Sequence, residues 1–169
     1  STGSELVEPG QPVPDAKIRN TNTSQLLGQV SECNQTPFYF GLVPDQEEAI
    51  ENAIRKAEKE CDVIILTGGA SVGEFDLVPK VVENMGYGRK FQKVAIQPGK
   101  PVSFSVKDGK YCFGLSGNPV SSFLQFQLLV KPMLVKLSGK RNKTTRIKIK
   151  FDGEFKRKKA ERRYFLPVV

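Results

Sequence analysis

The sequence predicts a three-layer α/β/α domain built on a mainly parallel sheet, with the start of a β-rich unit behind it. Strand-like and helix-like segments alternate through the first 137 residues, the grammar of a sheet covered by helices. The run DVIILTGG (62–69) is apolar without alternation, as in a strand buried on both faces. Two stretches, TGGAS (67–71) and LSGNP (115–119), place small residues where a strand ends and a helix begins.

In chain order, TNTSQLLGQVSEC (21–33) reads as a short helix weakened by Gly28. TPFYFGLV (36–43) reads as a strand that stops at Pro44. Asp45 then suits the N-cap of a helix, with Glu47 and Glu48 in its first turn and Ile50, Ala53, Ile54 and Ala57 at helical spacing. After the 62–69 strand, Phe75 to Met85 has the pattern of a helix, with Pro79 in its first turn or kinking it, and Gly86 and Gly88 closing it.

RKFQKVAI (89–96) alternates as a strand and Gln97-Pro98-Gly99 makes a turn. VSFSV (102–106) and YCFGL (111–115) flank Asp108-Gly109, a pair that tolerates the positive φ of a tight hairpin. SGNPVSSFLQFQLLVKPMLVKL (116–137) is the longest helical segment, capped by Asn118 and opened by Pro119, with Pro132 bending or dividing it. Beyond Gly139 the pattern changes. TTRIKIKF (144–151) alternates as a half-exposed strand, so residues 1–139 read as one domain and 140–169 as the truncated beginning of a β domain.

Composition removes several chemistries. The chain has 169 residues and no histidine, which excludes Ser-His and Cys-His nucleophiles and histidine-ligated metals. Cys33, Cys61 and Cys112 form no CxxC pair and leave an odd thiol, an arrangement that suits a reducing cytoplasm. No apolar run approaches the ~20 residues of a membrane span, and no membrane association is expected. The net charge is +8, but Lys140 to Arg163 alone carries +9 and the remainder −1. A nucleic-acid role would therefore rest on one terminal segment without an RNA-type aromatic signature, and it is not expected.

The chemistry that remains needs carboxylates, lysines, hydroxyls, backbone amides and a hard metal. After a buried strand, Gly68-Gly69-Ala70-Ser71 lets backbone approach a ligand and aims free amides at it, an anion cradle. A ligand-free tight turn explains the same residues, and neither the Walker nor the dinucleotide glycine spacing is matched. Asn118-Pro119 is likewise explained by capping alone. Glu5, Asp45, Glu74 and Asp76 recur at these turns, which makes sense if Mg²⁺ lies between them and a phosphate; Asp45 and Glu74 also suit plain helix N-termini. Lys100, beside the Pro98-Gly99 turn, and Lys93 are either anion ligands or solvated surface lysines.

STGSEL, KIRNTN, TGGASVGEFD, QPGKP and LSGNPVSS, in this order, resemble the central domain of the MoeA/gephyrin-E family, the molybdopterin molybdenumtransferases, over residues 1 to 139. VGEFD followed by QPGKP separates the chain from the related MogA/MoaB adenylyltransferases. The resemblance implies insertion of molybdate into adenylylated molybdopterin with Mg²⁺-dependent release of AMP, in a homodimer. It implies catalytic roles for Glu5, Asp45, Asp76, Lys93 and Lys100, with Asp45 and Asp76 on the metal. It places Thr67, Gly68, Gly69, Ser71, Gly73, Pro98, Gly99, Gly117, Asn118, Pro119 and Ser121 against the nucleotide and pterin. Ser4, Gln97 and Ser116 depart from the family pattern, where Asp, Lys and Pro are frequent. Relatives also carry an N-terminal linker region and a complete C-terminal β domain, so a fragment of the enzyme is expected. A MogA-like adenylyltransferase and a non-catalytic binding or scaffold module are the alternatives.

Overall fold

Two apolar strands side by side organise everything else. In a computed structural model, residues 1–68, 77–141, 145, 147–150, 152–154 and 161–166 are described. Their elements are β1 (Leu6–Val7), β2 (Ile18–Arg19), α1 (Thr21–Glu32), α2 (Glu47–Glu60), β3 (Val63–Thr67), α3 (Leu77–Asn84), β4 (Gly88–Lys93), β5 (Ile96–Gln97), β6 (Pro101–Lys107), β7 (Lys110–Leu115), α4 (Pro119–Gln125), a π-helical turn (Phe126–Val130), α5 (Lys131–Leu137) and β8 (Arg163–Tyr164). The main sheet has the order β3-β7-β6-β4, and β1-β2 and β5-β8 form two smaller ladders. β3 lies parallel to β7, Val63 opposite Tyr111 through Thr67 opposite Leu115. β1-β2 and β5-β8 are also parallel, while β4, β6 and β7 form an antiparallel meander.

The unalternated run of β3 is explained by two separate cores. Ile64 and Leu66 pack with Ile50, Ile54 and Ala57 of α2 and Val78, Val81 and Val82 of α3. Val63 and Ile65, on the opposite face, pack with Leu26 of α1, Phe126, Val130 and Leu134. Both faces of the sheet therefore carry helices, and the three-layer expectation is borne out. The hairpin also forms where the sequence places it, with φ of 46° at Asp108 and 76° at Gly109.

Several local expectations are corrected. TPFYFGLV makes no ladder. Among the described residues only Val43 is bridged, to Thr2, and Phe38, Tyr39 and Phe40 are exposed; β-rich composition does not make a strand without a partner edge. Asp45 is not the cap of α2. Gln46 occupies that position without a side-chain bond, because the Asp45 carboxylate turns to the backbone of Ser4. Gly88 begins β4, leaving Gly86 alone, with φ 87°, to end the helix before it. At Pro132 the long helical segment is divided, not by a break but by a π-turn ahead of it: α4 passes through Phe126–Val130 into α5, whose first turn holds Pro132, with the Lys131 N–H donating to the carbonyl of Phe126. Residues 145 and 147–150 form no strand, and Ile147 and Ile149 are exposed. The tail instead meets the domain through β8.

Candidate functional site at the carboxyl edge of the sheet

Because β3 and β7 run parallel, their carboxyl ends open on one edge, where ligands of such folds collect. Thr67 ends β3 and is buried. Gly68 follows at φ 89°, and a Cβ there would stand 2.1 Å from the carbonyl oxygen of Thr2. Only glycine fits so close an approach. Thr2 arrives because its N–H donates to the carbonyl of Thr67 at 2.7 Å, while Val43 N–H donates to Ser1 and Gly3 N–H to Val43. Ser1–Gly3 is thus threaded between β3 and Val43. The Ser1 hydroxyl lies 2.8 Å from the Thr67 hydroxyl and donates to Asn20 Oδ1.

From β7 comes the second turn. A Cβ on Gly117 would lie 3.5 Å from the Gly68 Cα, so the two small-residue turns touch. Asn118 caps α4, its Oδ1 accepting from the Ser121 N–H at 3.1 Å, with Pro119 opening the helix. Asn22 of α1 donates to the Gly117 carbonyl at 2.8 Å and accepts from the Ser122 hydroxyl. Gly117, Asn118 and Pro119 remain exposed, while Ser121 is buried.

The carboxylates Glu5 and Asp45 gather on the Ser1–Gly3 side. Asp45 Oδ2 accepts from the Ser4 N–H at 3.3 Å. The Glu5 carboxylate folds against Gly3, 2.7 Å from where a Cβ would be. Lys17 Nζ caps the Ser4 carbonyl at 2.5 Å. Lys93 and Lys100 sit on the other flank, both exposed. They bracket one turn, since Val94 N–H donates to the Lys100 carbonyl and Lys93 is registered with Pro101. Inside that turn the Gln97–Pro98 bond is cis and Gly99 is buried.

Gln125, which the sequence reading did not single out, ties this flank to the β7 turn. It is fully buried. Its Nε2 donates to the carbonyls of Gly99 at 2.9 Å and Pro101 at 2.7 Å, and its Oε1 accepts from Ser116 N–H at 2.8 Å. A polar residue inside the apolar stretch FLQFQLLV is the signal that could have found it, since a buried amide needs several partners. Asn22, inside the KIRNTN motif, and Thr2 were missed as well, because their contacts are made across the fold.

Gly69, Ser71, Gly73, Glu74 and Asp76 lie outside the described residues. Among those described, no group of three or more acidic or thiol side chains is arranged to hold a metal. Exposed Asp45 and Glu5 supply the hard oxygen donors that suit Mg²⁺, and Asp45 keeps its second carboxylate oxygen beyond the bond to Ser4. Nearby, the Tyr39 phenol is pushed up to about 12 by burial and by its hydrogen bond to the Glu8 carboxylate.

A glycine-lined carboxyl edge of a three-layer domain, with the Glu5 and Asp45 carboxylates beside Ser1–Gly3, defines the class of fold to which the chain belongs. The chain belongs to the family described as "Probable molybdopterin binding domain", whose model matches residues 1–136. It is 39% identical over 134 residues to the molybdopterin molybdenumtransferase of Bacillus subtilis, covering 79% of this chain and 31% of that protein. The Haemophilus influenzae protein of the same name is 41% identical over 143 residues, 83% of this chain and 35% of the relative. The chain therefore spans about a third of the length of the curated relatives it matches. The crystal structure of the molybdopterin biosynthesis MoeA protein from Pyrococcus horikosii superposes with a TM-score of 0.75 at 35% identity, over 83% of this chain and 34% of that one. A MoaB enzyme from Thermus thermophilus shares the fold, at TM-score 0.58 and 14% identity, over 73% of this chain and 88% of that one. The resemblance carried by the ordered motifs is borne out at the level of the family.

Proposed function

We propose that this chain is the pterin-binding portion of a molybdopterin molybdenumtransferase, inserting molybdate into adenylylated molybdopterin with release of AMP. The observation that carries the reading is the contact of Gly68 with Gly117 at adjacent strand ends, with the Glu5 and Asp45 carboxylates on one flank. In this reading Thr67 and Gly68, with Gly69, Ser71 and Gly73 of the same motif, would contact phosphate, and Gly117, Asn118, Pro119 and Ser121 would border the pterin. Bare backbone at the glycines lets an anion approach the amides without a Cβ in between.

Asp45 and Asp76 would hold Mg²⁺, which would supply charge neutralisation for phosphate oxygens. Glu5 shapes the same flank. Lys93 and Lys100, held together by the turn that Gln125 clamps, draw molybdate and phosphate oxygens to the opposite side. Ser4 and Gln97 put less charge around the oxyanion than the Asp and Lys frequent in relatives. The active assembly is a homodimer in a reducing cytoplasm, in keeping with three free thiols. Residues 1–139 form the ligand-binding unit and 140–169 the opening of a further β domain.

Titration calorimetry with adenylylated molybdopterin, with and without Mg²⁺, tests the reading. Mg²⁺ should strengthen binding, and Asp45→Ala or Asp76→Ala should remove about 1–3 kcal/mol of it. Binding that ignores both Mg²⁺ and these substitutions would overturn the assignment.

A further inference from the structure

The buried amide of Gln125 stands where two strands part. β6 and β7 are registered antiparallel from Lys107 opposite Lys110 to Ser103 opposite Gly114, and the same register carried further sets Pro101 opposite Ser116. There the Ser116 N–H donates to Gln125 Oε1 at 2.8 Å and the Pro101 carbonyl accepts from Gln125 Nε2 at 2.7 Å. A side-chain amide is thus interposed between the strand ends as a peptide group would be. Nε2 also donates to the Gly99 carbonyl at 2.9 Å and to the Ser116 hydroxyl at 3.0 Å, which passes its own proton to the Pro101 carbonyl at 2.9 Å. The Ser116 N–H can only donate and the two carbonyls can only accept, so the orientation of the amide is fixed. A proline at position 116 would have no N–H to give, so the serine that departs from the family pattern is what admits the Oε1 bond.

The residue between the two clamped carbonyls is Lys100. Its own carbonyl accepts from Val94 N–H at 3.0 Å, so the carbonyls of Gly99, Lys100 and Pro101 are all held while the Lys100 side chain stays in solvent. Gly99 lets the amide in, since at φ 98° a Cβ there would stand 3.1 Å from Gln125 Nε2. On the other side, Ser116 directly precedes Gly117, where a Cβ would lie 3.5 Å from the Gly68 Cα. One amide therefore connects the turn that carries Lys100 to the glycines of the carboxyl edge. Gln125 is fully buried, so it can act on a ligand only through the residues it holds.

We propose that Gln125, paired with Ser116, is a positioning residue of the candidate site: it fixes Lys100 relative to the glycine edge and so sets where the lysine meets an anionic group of the ligand. The inference rests on the reading of that edge as the site for adenylylated molybdopterin.

Nuclear magnetic relaxation and calorimetry on the full chain test it. In Gln125→Leu the backbone amide of Lys100 should become mobile on the picosecond to nanosecond scale, its order parameter falling from about 0.85 towards about 0.6, while that of Ile54 in α2 stays as it is. Titrated with adenylylated molybdopterin, Gln125→Leu and Lys100→Gln should each weaken binding about tenfold, and the double variant should bind no worse than Lys100→Gln alone. Gln125→Glu keeps the shape but sets an oxygen against two carbonyls, and it should behave as Gln125→Leu does. Should Gln125→Leu not fold, Ser116→Ala makes the same comparison. It keeps the N–H and loses only the hydroxyl, so it should weaken binding about threefold, and only while Lys100 is present. An unchanged Lys100 order parameter, or losses of affinity that multiply in the double variant, would overturn the proposal. A wild-type chain that does not bind the adenylylated pterin would overturn the functional reading instead, and the order of Lys100 would then decide the positioning by itself.

Discussion

Gly68 shows how much one missing methyl group decides. Its φ of 89° and the 2.1 Å approach to the Thr2 carbonyl leave no room for a side chain. Gly68→Ala should therefore cost about 1–3 kcal/mol, the range for backbone strain at such positions, and loosen Ser1–Gly3; urea unfolding measures the first and amide exchange at Thr2 the second. Gln125 makes the opposite argument, a side chain whose every polar atom is engaged. Gln125→Leu keeps most of the volume but strands the Ser116 N–H and the Gly99 carbonyl, so a loss of about 3 kcal/mol is expected. Pterin affinity should fall with it, because the Lys93–Lys100 turn loses its tie to β7.

Titration adds a third residue-scale prediction. Burial, with the Glu58 carboxylate, pushes the Cys112 thiol up to about 12 from an ordinary 9.0. Above pH 9 the unfolded chain gives up that proton and the folded one keeps it, so stability is full below pH 9 and declines towards pH 12. Tyr39, pushed up to about 12 by burial and Glu8, deepens the decline above pH 10. Urea midpoints taken from pH 8 to 11 should fall, and fall less in Cys112→Ala.

At the scale of elements, the helix starts carry most of the local information. Asn118 bonds to Ser121 N–H, so Asn118→Ala should cost about 1 kcal/mol in thermal unfolding. Asn20 caps α1 by accepting from Thr23 N–H, but it also accepts from Ser1 and donates to Tyr39. Asn20→Ala should therefore cost more than its counterpart on α4. Asn118-Pro119 was readable as a cap because the pattern is contained in adjacent residues. Asn20 was not, because its further partners come from the N-terminal strip and residue 39. The π-turn before Pro132 is of the same kind. A proline announces that the helix must change, but Phe126, Val130 and Leu134 facing one core decide how.

Across the whole molecule, charge and topology divide the chain differently. The +9 of residues 140–163 suggests a separate tail, yet Arg163 N–H donates to the Ala95 carbonyl and Phe165 N–H to that of Gln97, tying it to β5. Removing residues 140–169 should leave the four-stranded sheet and both cores unfolding in a single transition. The Ala95 and Gln97 carbonyls would then lose those partners, and the midpoint should drop by a few degrees, about what a change of 1 kcal/mol produces in a domain of this size. Two transitions, or loss of the fold, would contradict the division at residue 139. Among the described residues no helix is long and apolar enough to cross a membrane.

By itself, the amino-acid order determined what depends on neighbours in the chain: the strand–helix alternation, the Asp108-Gly109 hairpin, the Asn118 cap, the two small-residue turns and the absence of histidine chemistry. These follow from backbone preferences and hydrophobic periods that act over a few residues. The tertiary structure alone decided that Gly68 meets Gly117, that Gln125 binds Gly99 and that Asp45 turns to Ser4. Each is a contact between residues far apart in the sequence, and its existence depends on the path of the chain around two cores, which no local pattern encodes.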